Sequence, residues 1–180
     1  FSKGYSIFFS AAGSHWLNGK IRDLYASLGW QQSLLGFPVA DLVKTLSGTG
    51  YLTRFQRGTI YWSGATGAHY VTGATLTKYT AMKAEASVLK YPTTHTLATA
   101  RKDGTYQHFQ GGSIFWSAPT GAHSVTGAIR STWSRLGWER SWLGYPTSDA
   151  FSVSGGQRQN FQHGYLVWNS RTGVVTSHRT

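Results

Sequence analysis

One short phrase recurs along the whole chain: Phe55 to Ser63 (FQRGTIYWS), Phe109 to Ser117 (FQGGSIFWS), Phe161 to Asn169 (FQHGYLVWN), and a degenerate first copy from Phe1 to Ser10 (FSKGYSIFFS). The phenylalanines stand at 1, 55, 109 and 161, steps of 54, 54 and 52 residues. Periods of that length belong to solenoids, propellers and related arrays. A unit of 54 residues is too small to bury a convincing core by itself. Residues 1–180 are therefore expected to form a single domain, with units of about 1–48, 49–102 and 103–156 and a partial unit 157–180. Any function must suit a surface presented several times.

Within the unit that starts near residue 49, Tyr51 to Gln56, Thr59 to Ser63 and Ala68 to Val71 alternate aromatic and β-branched residues between glycine turns, the pattern of three short strands. After Gly73 the spacing becomes helical: Leu76, Tyr79 and Met82 here, Ile129, Trp133 and Leu136 in the next unit, and Ile21, Leu24, Tyr25 and Leu28 in the first. Gly29 and Gly137 suit left-handed helix ends; the middle unit has no glycine there, so its helix is expected to run on or to end differently. The fold class is α+β and β-rich: three to four repeats of about 54 residues, each a small β-meander or hairpin plus a short helix. Because the last hairpin leads only into Thr176 to Thr180, the incomplete ends favour closure into a propeller-like ring over an open stack.

Aromatics at 15% and 22 glycines fit strands and turns with an aromatic-rich interior or surface. No stretch approaches the roughly 18 to 20 apolar residues that span a bilayer, so no membrane insertion is expected. The start at Phe1, without Met or a signal-like segment, is expected to mark an excised or processed piece. Cysteine is absent, which removes disulfides, thiolate nucleophiles and Cys-type zinc sites together. The net charge of +11 attracts polyanions. The bases are dispersed, however, and without a concentrated basic stripe no nucleic-acid partner is expected.

A tetrapeptide follows each helix in 54-residue register: Leu35-Gly36-Phe37-Pro38, Leu89-Lys90-Tyr91-Pro92 and Leu143-Gly144-Tyr145-Pro146. Together with Phe-x-x-Gly-x-Ile-x-Trp-Ser and with Thr-Gly-Ala-His at Thr66 to His69 and Thr120 to His123, it resembles the LGFP repeat family over nearly the whole chain. The resemblance implies a secreted, non-catalytic module of the actinobacterial cell envelope. It would hold an attached catalytic domain of the parent chain at the peptidoglycan and arabinogalactan layer. The middle unit departs from the pattern, with Lys90 in place of glycine and Thr94-His95 after the proline, and is the copy expected to be silent or altered.

Trp62, Trp116 and Trp168 share a strand face with Ile60, Ile114 and Leu166 and are expected to pack in the core. Tyr61 and Phe115 point to the opposite face, where an aromatic either stacks on a sugar or covers a neighbouring helix. Trp30, Trp138 and Trp142 lie between helix and tetrapeptide, beside Gln31, Gln32, Glu139 and Arg140. Indole beside amide, acid and guanidinium suits a glycan; a hydrophobic plug between repeats is the other role open to these residues. His69 and His123 follow turns at equivalent positions, where a hydrogen bond across the turn and a ligand contact both remain open, and His108 and His163 are expected at the surface. Asp41 and Asp149 could meet sugar hydroxyls, but an Asx-turn is favoured.

No nucleophile elbow, phosphate loop or zinc motif is present, and six scattered acids give little material for a paired-carboxylate glycosidase. No catalytic residue, metal or cofactor is expected. The chain is read as a cell-wall-binding module whose partner is envelope polysaccharide, with a soluble lectin or protein-interaction scaffold as the alternative.

Overall fold

The computed structural model describes residues 4–11 and 13–180. Phe1, where the degenerate copy opens, lies outside the described residues. The first sheet is a hairpin of β1 (Tyr5–Ser10) and β2 (Gly13–Asn18). Three four-stranded antiparallel meanders follow: β3 to β6 (Val43–Lys44, Gly50–Phe55, Gly58–Ser63, Gly67–Thr72), β7 to β10 (Leu97–Ala98, Gly104–Phe109, Gly112–Ser117, Gly121–Thr126) and β11 to β14 (Phe151–Val153, Gly156–Phe161, Gly164–Asn169, Val175–Arg179). Between successive sheets lie α1 (Gly19–Ser27), α2 (Gly73–Ala81) and α3 (Gly127–Leu136), each followed by a short 3-10 turn and the tetrapeptide.

Sheet and helix layers therefore alternate, and each helix is shared by two sheets. Tyr25 of α1 packs with Leu17 behind it and with Phe55 and Ile60 ahead of it. Tyr79 of α2 packs with Tyr61 and Val71 on one side and Phe109 and Ile114 on the other. Trp133 of α3 sits in the same way between Phe115 and Val125 and the pair Phe161 and Leu166. This explains why strands such as β5 are buried on both faces: Ile60 faces the helix before, and Tyr61 the helix after. The helical contact falls four residues apart, at Ile21 and Tyr25, Thr75 and Tyr79, and Ile129 and Trp133. Leu136, expected on that face, is 40% exposed.

Leu35, Leu89 and Leu143 are fully buried as the wedge of each layer, and Pro38, Pro92 and Pro146 bridge to Phe55, Phe109 and Phe161 of the next sheet. The wedge fits because Gly58 and Gly112 have no side chain: a Cβ on Gly58 would stand 2.6 Å from Leu35 Cδ2, and one on Gly112 2.7 Å from Leu89 Cδ2. Gln56, Gln110 and Gln162 accept hydrogen bonds from the backbone of Phe37, Tyr91 and Tyr145 at 3.0, 3.2 and 2.9 Å. Farther along the same sheets, the buried Gln107 and Gln159 reach back to the previous unit. Gln107 Nε2 donates to the Tyr70 and Thr94 carbonyls, and Gln159 Nε2 to those of Ser124 and Ser148.

One expectation needs correction. No closed ring is found; the layers succeed one another as an open array. Val175–Arg179 pairs with β13 and completes the last sheet. The middle helix, for its part, ends at the same place as the others despite lacking glycine. Lys83 takes φ 72°, the conformation that Gly29 and Gly137 hold at 92° and 105°, at a cost that a β-carbon imposes in the left-handed region.

Candidate functional site

The end of α3 builds the best-formed site. Gly137 and Trp138 are both left-handed, with φ 105° and 59°, which turns the indole of Trp138 back over β8 and β9. There it stacks on Phe115 at 5.4 Å between centroids and 25° between planes, meets the edge of Trp133 at 5.2 Å, and touches His108 at 5.6 Å. Tyr106 extends the stack beyond Phe115 at 5.4 Å. The Arg130 guanidinium lies 5.5 Å from the Trp138 ring and is fixed by a 2.7 Å hydrogen bond to Ser113 Oγ. A cavity of about 260 Å³ opens over this group, lined by Tyr106, His108, Phe115, Trp138, Glu139 and Arg140 among others.

The polar groups around the cavity have distinct duties. Glu139 is buried and accepts from the Ala100 amide at 3.1 Å, tying the 3-10 turn to the preceding hairpin. Glu85 does the same for Ser47 at 3.3 Å, so this carboxylate is structural. Burial lowers the pKa of His108, and the nearby Arg130 charge lowers it further. The imidazole is thus neutral at pH 7 and shares a 2.7 Å hydrogen bond with Ser113 Oγ. Arg140 is exposed at the rim of the cavity. Sequence reasoning placed His108 at the surface; the structure half-buries it among Tyr106, Phe115 and Trp138.

The first unit repeats the constellation. Trp30 packs against Phe8 at 5.4 Å and Tyr25 at 5.5 Å, Arg22 lies 5.4 Å from its ring, and Arg22 Nε donates to Ser6 Oγ at 2.9 Å. Phe8 and Trp30 line an open hollow of about 640 Å³ along β1. In the middle unit the corresponding residues are Leu76, Thr59 and Ala84, and its cavity of about 440 Å³ is lined by Tyr61, Lys83, Ala84 and Glu85. The middle site therefore lacks the counterparts of Trp138, Arg130 and Ser113 together, and the guanidinium groups that line its cavity, Arg54 and Arg57, come from the strand and turn before it. Arg22 and Arg130 escaped the sequence reading, although each stands eight residues before its tryptophan and both are replaced where the tryptophan is lost.

The other expected residues lie elsewhere. Tyr61 and Phe115 are 4% and 2% exposed. Each covers the helix of its own unit, against Tyr79 and Trp133, and so forms a floor rather than a free stacking platform. Trp142 does not join Trp138; it packs beside Gly164 under the Arg179 guanidinium, 4.5 Å away. Trp62, Trp116 and Trp168 are half-buried at the margins of the layers. His69 and His123 hold turns closed through 2.9 and 2.8 Å contacts from Nε2 to the Thr66 and Thr120 carbonyls. His163 is exposed.

Asp41 and Asp149 clamp strand edges and form no Asx-turn. Asp41 accepts from the Trp16 amide at 3.1 Å and lies 3.3 Å from His15 Nδ1. Asp149 accepts from the Ser124 amide at 2.8 Å and pairs with Lys78. His95 takes the equivalent place in the middle unit, receiving the Tyr70 amide at 3.3 Å and stacking on that ring. The geometry is physically sensible because β2, β6 and β10 are edge strands whose outward amides need acceptors. Among the described residues no group of three or more His, Asp or Glu could hold a metal ion, and no helix is long and apolar enough to cross a membrane.

Comparison with known proteins adds one strong match. The profile of the LGFP repeat matches residues 35–87, 89–141 and 143–179. No curated protein matches the chain. Among solved structures, the extracellular domain of the one-component system BT4673 from B. thetaiotaomicron is similar at 11% identity and a TM-score of 0.23, over 81% of this chain and 17% of that one.

Proposed function

Since the chain belongs to the LGFP repeat family, and only this repeat module is found, with no catalytic domain, we propose that it binds cell-envelope polysaccharide of the arabinogalactan and peptidoglycan type and anchors an attached catalytic domain at the wall of a secreting cell. The observation that carries the reading is the paired constellation of Trp30, Arg22 and Ser6 and of Trp138, Arg130 and Ser113. Each is an indole held rigidly by a guanidinium and an aromatic floor beside an open hollow. Such a surface suits a sugar ring, which offers an apolar face for stacking and hydroxyls for a few orienting hydrogen bonds.

Two such sites in one rigid array also fit a polymer better than a free sugar. Once one site holds a chain, a second meets it at an effective concentration of about millimolar, which raises avidity by roughly 10² to 10⁴ without tighter contacts. The net charge of +11 adds general attraction to anionic wall polymers. The test is sedimentation of the purified protein with insoluble actinobacterial wall, intact or stripped of arabinogalactan, at low and moderate salt. Retention that survives salt and vanishes with arabinogalactan supports the proposal. Retention lost to salt alone reduces it to charge attraction, and competition by free sugar alone marks a lectin.

A further inference from the structure

The start of α1 borders a cavity that the indole site at its other end does not use. The cavity measures about 430 Å³ and is lined by Trp16, Asn18, Lys20, Leu42, Tyr51 and Trp62 among others. One wall comes from the edge strand β2. The other is the near face of the second sheet, where Tyr51 and Trp62 are register partners with rings 5.9 Å apart and tilted by 33°. Trp16 is 38% exposed, and Tyr51 and Trp62 are half-buried. The nine residues of α1 rise about 13 Å, so this cavity and the hollow at Trp30 are separate surfaces.

The same seam is built differently between the later sheets. Where the first junction has Trp16, Lys20, Leu42 and Tyr51, the second has Tyr70, Ala74, Thr96 and Thr105, and the third has Ser124, Ala128, Ala150 and Gln157. The indole of Trp62 alone recurs, as Trp116 and Trp168. The second junction is satisfied from within: His95 stacks on Tyr70, and Thr96 Oγ1 accepts from the Thr72 amide at 3.1 Å and donates to Gln107 at 2.8 Å. In the first, Leu42 offers no such acceptor. The Asn18 side chain there caps no amide of α1 and has no hydrogen bond among the described residues. The packing common to the array thus does not call for the added rings, the ammonium or the free amide.

Charge gives the occupant its sign. No carboxylate lines the cavity. Asp41, beside Leu42, is taken up by the Trp16 amide and His15. Lys20 has a 3.8 Å surface pair with Asp23 and a side chain 71% exposed, an arrangement that holds an ammonium loosely. Resting on the glycan reading above, we propose that this cleft is a second, chemically distinct subsite that takes an anionic pyranose. The apolar face of the sugar ring stacks on Tyr51 and Trp62, its carboxylate or phosphate meets Lys20, and a hydroxyl meets the Asn18 amide. The guanidinium groups at Trp30 and Trp138 are fixed on Ser6 and Ser113, whereas Lys20 can swing to follow a charge.

Indole N–H resonances read both kinds of site in one titration, with methyl glucuronoside, glucosyl phosphate and methyl glucoside as probes. The Trp16 and Trp62 signals should shift with an anionic sugar at a dissociation constant of about 1 mM. At low salt that sugar should bind about three- to fivefold more tightly than the glucoside, and the advantage should fade as salt is added. The stronger of the two anionic probes tells carboxylate from phosphate. Tyr51→Thr, which copies the second junction, should abolish the shifts; Lys20→Ala should bring the three probes level, and Lys20→Arg should keep them apart. Equal affinity of the wild type for all three sugars overturns the proposal. Shifts confined to Trp30 and Trp138 overturn this subsite and keep the glycan reading, and silence at all four indoles together with no retention on wall ends both.

Discussion

The Tyr79 hydroxyl donates a 2.6 Å hydrogen bond to the Lys90 carbonyl, joining α2 to the tetrapeptide eleven residues later. Tyr25 makes the same bond to Gly36 at 2.8 Å. Both rings are buried, and burial raises both phenols, that of Tyr25 to about 12. Tyr79→Phe should therefore cost about 1 to 2 kcal/mol, because it strands a carbonyl as well as removing a donor. Urea unfolding measures this; a loss below about 0.5 kcal/mol would mean that water reaches the Lys90 carbonyl. The third unit has Trp133 here, whose Nε1 is buried without a partner, so the tie is absent there.

Gln159 is fully buried and joins the edge of one sheet to the loop of the next through the Ser124 and Ser148 carbonyls at 2.9 and 2.8 Å. Gln159→Leu keeps much of the volume but leaves both acceptors unpaired, at an expected cost of about 2 to 4 kcal/mol. Hydrogen exchange should show the loss as faster opening of the last sheet. Uniform destabilisation of all four sheets would instead mean that the array unfolds as one unit.

Acid stability should depend on Asp149. Burial pushes its carboxyl up, but the neighbouring His123 imidazole and hydrogen bonds from Lys78 and the Ser124 amide outweigh that and hold it well below the usual carboxylate range. A carboxylate more acidic in the folded than in the unfolded chain stabilises above its unfolded pKa of about 3.9, and the contribution is lost as pH falls through the folded value. Unfolding free energy of the wild type should therefore fall more steeply below about pH 4 than that of Asp149→Asn. Parallel acid limbs would remove Asp149 from the account. The side chain is partly exposed, so the effect should weaken with salt.

The two tryptophans of the third unit should separate under substitution. Trp138 lines the cavity, whereas Trp142 packs beside Gly164 and beneath Arg179. On the proposed function, Trp138→Ala lowers wall retention by roughly three- to tenfold, the worth of one aromatic stacking contact. Trp142→Ala should lower the unfolding midpoint while retention of the folded fraction holds. Retention unchanged by Trp138→Ala would remove this cavity from the binding surface.

Much of the fold was legible because the same phrase is written several times. Strands β4, β5 and β6, the helix after Gly73 and the register of the three tetrapeptides all follow from periodicity and turn chemistry. What escaped is what depends on layers that periodicity does not order. That α1 serves both the hairpin before it and the sheet after it appears only when Tyr25 is seen against Leu17 and Phe55 together. The site was half legible for the same reason. Trp30 and Trp138 stood out, but Arg22 and Arg130 look like ordinary helix-surface bases until the left-handed turn brings the indoles back beneath them. Trp142 lies apart from that cavity although it is only four residues from Trp138, because the 3-10 turn between them sends neighbours that close to different surfaces.

Because each helix belongs to two sheets, the 54-residue period of the sequence and the layers of the molecule are out of phase, and a break at any period boundary passes through a sheet or a shared core. The harmless unit of change is a whole period taken between equivalent points. Excision of residues 58–111 would bring β9 up to β4 as β5 was, with Gly112 meeting Leu35 in place of Gly58. Such a chain is shortened without gaining a foreign seam, and by the same geometry it is lengthened only in whole steps.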